Sequence, residues 1–97
     1  MENQVSKEHL RKYLNTTREA LDKLTITCPE RSFGRRLAED FLKMAKSYYQ
    51  DALHFEGSGD HVNAFACVNY AHGWLDCGAR LGLFDVGGDD RLFTLYE

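Results

Sequence analysis

Residues 64–81 read Ala64-Phe65-Ala66-Cys67-Val68-Asn69-Tyr70-Ala71-His72-Gly73-Trp74-Leu75-Asp76-Cys77-Gly78-Ala79-Arg80-Leu81. Only Asp76 and Arg80 in this run are charged, in a chain that is 28% charged overall. The run also holds the only Trp and two of the three Cys. At about 100° per residue, Ala64, Ala71 and Gly78 fall on one line of a helix. Cys67, Trp74 and Leu81 flank that line on one side, and Val68, Leu75 and Gly82 on the other. With Tyr70 and Cys77 the apolar arc spans roughly 200°, which describes a helix wanted by neighbours on most of its surface. The central line of small residues admits a close helix neighbour, and this explains Gly78 in a helix interior. Trp74 falls in the core arc, where its indole N–H needs an acceptor. The remaining arc carries Asn69, His72, Asp76 and Arg80, with Val62, Phe65, Ala66 and Gly73 among them. A water-facing surface would hold more Lys and Glu, so either the C-terminal tail or a second subunit is expected to cover it.

Two further helices lie upstream. Ser6 is a candidate N-cap for a helix over 6–25, whose seam runs Leu10, Leu14, Thr17, Leu21, Leu24 at alternating spacings of four and three. Thr17 is the one polar member. Ile26-Thr27-Cys28-Pro29 reads as an extended link. A second helix over 31–56 is lined by Phe33, Leu37, Phe41, Met44, Tyr48, Ala52 and Phe55. Gly57 is the expected left-handed terminus and Asp60 the next N-cap, so the third helix covers 60–81. Gly82 fits a C-terminal cap, with Leu83 supplying the hydrophobic contact. The short link makes the second and third helices an antiparallel hairpin. The fold class is all-α: a single domain over 1–97, an up-down-up antiparallel three-helix bundle with an extended tail over 83–97 packed on it.

Composition narrows function by exclusion. The chain has 97 residues, enough for one domain. No apolar run approaches the ~20 residues of a membrane span, and the N-terminus lacks a signal-peptide core, so a cytoplasmic protein without a membrane partner is expected. Cys28, Cys67 and Cys77 have no Cys-x-x-Cys spacing and read as reduced, packed thiols. Net charge is −3, with ten Lys/Arg against seven Asp/Glu in residues 1–48 and two against eight in 49–97. That polarity suits head-to-tail pairing of copies. Arg31, Arg35, Arg36, Lys43 and Lys46 form a basic cluster, but Glu30, Glu39 and Asp40 interrupt it, so nucleic-acid binding is weakly supported.

His72 and Asp76, four apart, share a helical side, the spacing of a carboxylate-oriented imidazole or of two metal ligands. Asp40 and Asp51 line the second helix, and the hairpin brings Asp40 roughly level with Asp76. Asp40, Asp51, Asn69, His72 and Asp76 thus form a candidate polar groove between helices two and three, for a small ligand or metal. The competing reading is a hydrogen-bond network that fixes register. No third metal ligand stands at a diagnostic spacing and no nucleophile set is present, so the sequence assigns no catalytic residue, no metal site and no cofactor. The leading expectation is a non-enzymatic module that forms a homo-oligomer or binds a protein partner through Phe65, Gly73, Arg80, Phe93 and Tyr96.

The set Tyr48-Tyr49-x-Asp51, Phe55, Gly59-Asp60, Ala64, Tyr70-Ala71-His72-Gly73-Trp74-Leu75-Asp76, Gly78 and Gly82 resembles a family of small archaeal proteins called domain of unknown function 357. The resemblance covers about Leu37 to Phe84. It implies a compact helical bundle in an archaeal cytoplasm and carries no activity, so no catalytic residue transfers.

Overall fold

In the computed structural model, which describes residues 6–88, three helices pack into an all-α bundle. They are α1 (Lys7–Lys23), α2 (Phe33–Gly57) and α3 (His61–Arg80), with two-residue strands β1 (Thr25–Ile26) and β2 (Phe84–Asp85). Each helix starts on a polar side chain that accepts a backbone N–H left over in the first turn. Ser6 Oγ accepts from His9 N at 3.0 Å, Ser32 Oγ from Arg35 N at 3.0 Å, and Asp60 Oδ1 from Asn63 N at 3.2 Å.

The α2–α3 turn differs from the expectation in one residue. Gly57 stays helical, and the left-handed residue is Gly59, with φ +84°. The hydrogen bonds explain the shift. Gly59 N–H donates to Glu56 O and Asp60 N–H to Phe55 O, the paired closure that requires a left-handed residue just before Asp60. Asp60 therefore ends one helix with its backbone and starts the next with its side chain. The same closure ends α3: Gly82 (φ +79°) donates to Ala79 O, and Leu83 to Gly78 O.

α2 and α3 form the antiparallel hairpin. Ala38, Ala45 and Ala52 of α2 are fully buried, as are Ala64, Val68, Ala71 and Leu75 of α3. Small side chains on both helices let the backbones approach closely. The register follows from two aromatic pairs, Phe41 with Trp74 (ring centroids 5.0 Å apart) and Tyr48 with Tyr70 (4.5 Å). α1 lays its seam into the groove between them: Leu10, Leu14, Thr17 and Leu24 are buried with Ala20 beside them, and Leu21 is half-buried. The core divides into two clusters. Leu10, Leu14, Ala52, Ala64 and Val68 fill one, and Ala20, Leu24, Ala38, Ala45, Leu75, Leu83, Phe84 and Val86 fill the other.

The tail folds back as expected as far as Gly88, but by a device the sequence did not announce. Thr25 pairs with Asp85 and Ile26 with Phe84 in a short antiparallel ladder. This gives the extended link after α1 hydrogen-bond partners and drives Phe84 into the core, where it is 4% exposed. The neighbour that needs Gly78 is accordingly a ring rather than a helix. A Cβ on Gly78 would stand 2.7 Å from Phe84 Cδ2 and closer still to Cε2.

Candidate functional site

Between the two core clusters lies a polar layer. Thr17, the polar member of the α1 seam, is 1% exposed, and its Oγ1 sits 3.1 Å from His72 Nδ1. His72 Nε2 lies 3.7 Å from Asp76 Oδ1, one turn further along α3. The threonine hydroxyl can donate to or accept from the imidazole, according to its tautomer. The order hydroxyl, imidazole, carboxylate is that of a nucleophilic triad. Its hydroxyl is sealed in the core, however, so no substrate reaches it. The contact ties α1 to α3 through a polar group buried in the seam. Replacing Thr17 by Val keeps the shape and leaves Nδ1 without its hydroxyl. We expect a loss of about 1–2 kcal/mol in urea unfolding, with Thr17→Ser milder. Equal stability of Thr17→Val and the parent would remove the structural role.

Of the five groove candidates, His72 and Asp76 are neighbours on α3. Asp40, Asp51 and Asn69 are exposed, whereas His72 turns to Thr17 of α1. What fills the α2–α3 seam at these levels is aromatic. Among the described residues, no group of three or more His, Cys, Asp or Glu comes together as metal ligands would. Arg31, Arg36, Lys43 and Lys46 are exposed, and Arg35 lies 3.9 Å from Glu39, four residues along the helix. No helix among the described residues is long and apolar enough to cross a membrane.

The low charge of α3 has two destinations. On one side α1 covers it. Phe65 packs with Tyr13 (centroids 5.1 Å) and His9 (5.4 Å), so this interface candidate is engaged inside its own chain. The expected covers were the tail or a second subunit; the first helix takes this side. A polar residue within an apolar seam needs a partner, and Thr17 was the sequence signal for that contact.

The other side is open. Val62, Ala66, Tyr70, Gly73, Cys77 and Leu81 are all exposed and none is charged. Tyr70 is 54%, Val62 54% and Leu81 61% exposed. Cys77 therefore lies on the surface instead of in the core, and Leu81 and Tyr70 fall outside the buried arc, which is narrower than the apolar one. Gly73 is a gap in this surface, since a Cβ there would meet nothing within 4 Å. Around it Tyr70, Trp74 and Cys77 wall a groove of about 230 Å³. Trp74 is half-buried, and its Nε1 is buried with no hydrogen-bond partner among the described residues. Burial raises the pKa of the Cys67 thiol, and Asp51 adds to the rise, so this cysteine stays protonated. Burial likewise raises the Tyr49 hydroxyl, against the opposing pull of Arg18 and Arg11. Arg80 is exposed beside the open face, while Phe93 and Tyr96 lie outside the described residues.

A family model described as protein of unknown function (DUF357) matches residues 12–84. No curated protein and no solved structure matches the chain. The chain belongs to that family, and the match takes in the seam of α1 from Leu14 onward, the hairpin and Phe84.

Proposed function

We propose that this protein is a non-enzymatic, self-associating module whose contact surface is the open face of α3. The observation that carries the reading is the uncharged exposed strip from Val62 to Leu81. The outward faces of α1 and α2 are studded with Lys, Arg, Asp and Glu, as water-facing helices are. An exposed strip with three large apolar side chains and no charge before Arg80 at its end is the mark of a surface that is covered in use. The sealed position of Thr17 supports a structural role for the neighbouring His72–Asp76 pair over an acid–base one.

Sedimentation or light scattering between about 1 and 200 µM, a range set by the affinity scale for modest interfaces, should give a mass that rises with concentration. Gly73→Glu is the matched variant. Its side chain enters open space, so the fold should persist and gain up to about 1 kcal/mol of helix propensity. The same change places a charge in the middle of the strip and should return the protein to monomer. A parent chain that remains monomeric at the top of the range would sink the proposal.

A further inference from the structure

We infer that the partner of this face is the same face of a second copy, packed antiparallel about a twofold axis level with the Ala71–His72 step, each copy's Tyr70 seated over the other's Gly73. The inference rests on the self-association reading and adds its geometry. An antiparallel pair about a twofold axis brings together residues whose numbers add to a constant. One register uses all six strip residues at once: Val62 meets Leu81, Ala66 meets Cys77, and Tyr70 meets Gly73. At the centre, the largest side chain of the strip is offered to its only gap, the groove at Gly73. Sliding the copies until Tyr70 meets Tyr70 crowds two rings together. Sliding the other way sets Gly73 on Gly73 and leaves a void. A parallel pair does both.

Charge favours the same arrangement. The strip interior is neutral, and its two ends differ in sign. Asp60 caps the N-terminal end, with its Oδ2 accepting from Asn63 Nδ2 at 2.7 Å, and Arg80 stands exposed at the C-terminal end. α2 runs the other way, and its N-terminal half, with Arg35, Arg36 and Lys43 against Glu39 and Asp40, keeps a net positive charge toward the C-terminal end of α3, with Asp51 toward its N-terminal end. The proposed register brings Arg80 of one copy to Asn63 and Asp60 of the other, at both ends at once. It also opposes the two helix dipoles. The contact is modest. A helix of 20 residues is about 30 Å long and presents a strip ~10 Å wide, well below the ~800 Å² per partner of a standard interface. The dimer is accordingly a micromolar, concentration-dependent one.

Ala66→Cys tests the register in the full chain. The new thiol faces the native Cys77 of the second copy, so mild oxidation at about 100 µM, above the micromolar scale of a weak interface, should give a covalent dimer. Peptide mapping should find it linked 66 to 77. In the parent chain the two Cys77 thiols stand on the order of 16 Å apart in this register, too far for a disulfide, and cross-linking should stay at background. Adding Gly73→Glu to Ala66→Cys should abolish the 66–77 link. A dimer in sedimentation whose links map 66 to 66 or 77 to 77, or which does not cross-link, overturns the register while self-association stands. No link together with a monomer at every concentration overturns both.

Discussion

Alanine at position 78 should destabilise this protein, although the substitution improves helix propensity. Gly78 is in the last turn of α3 and fully packed, with the Phe84 ring lying across its Cα. The added methyl would occupy space the ring already fills, and the backbone around Phe84 is held by its pairing with Ile26. Either the ring leaves the core or the tail shifts. Overpacking of this kind costs about 1–3 kcal/mol, and the ~1 kcal/mol gained by replacing Gly in a helix offsets only part. Phe84→Ala alone should cost about 3–5 kcal/mol, the range for deleting a buried aromatic ring. The sharper expectation concerns the pair. Once Phe84 is Ala, the space over Gly78 is empty, and Gly78→Ala should become stabilising by up to ~1 kcal/mol. Chemical denaturation of the four proteins reads the reversal directly. If Gly78→Ala is destabilising by the same amount in both backgrounds, Phe84 is not what excludes a side chain there.

This pair also marks where the sequence stops being legible. Helix number, order and approximate limits could be read because each depends on nearby residues: a capping Ser or Asp, a seam at spacings of three and four, a glycine after the last turn. Gly78 could be read as a place of close approach, but not as a place for Phe84, because that contact depends on how the tail returns. The wheel of α3 had the same limit. It set a core arc against one weakly charged remainder, and could not say that α1 would cover the part with His72 and Phe65 while Val62, Ala66 and Gly73 stay open beside Tyr70, Cys77 and Leu81. The difference is set by which groove α1 enters. The polar groove met a related limit. Level along a hairpin fixes one coordinate, whereas contact needs the angle on both helices. Thr17 held the missing angle: a buried hydroxyl within a leucine seam has to face a polar group, and His72 is the one it meets.

Leu14→Ala should be among the most damaging substitutions in α1. Leu14 is 1% exposed, in the cluster with Leu10, Ala52, Ala64 and Val68. Two of those neighbours are alanines on closely packed helices, and alanine has no rotamer with which to lean into a vacated space. The hole therefore stays open, which places the cost toward the upper part of the range for buried leucine, about 3–5 kcal/mol. Against a total of roughly 5–15 kcal/mol for a domain of this kind, that is a large share. At about 4–8 °C per kcal/mol for a chain of this size, the midpoint should fall by roughly 12–40 °C. The polar layer limits relief from the other side, since Thr17 and His72 separate this cluster from the larger one and are tied to each other. Arg11 and Glu56 pair across the surface nearby, but an exposed ion pair contributes too little to compensate. Thermal and urea unfolding of Leu14→Ala beside Thr17→Val would separate the two contributions that hold α1. A loss below about 1 kcal/mol for Leu14→Ala would mean that α1 is not seated in the groove under the conditions used, and the burial of its seam would have to be abandoned.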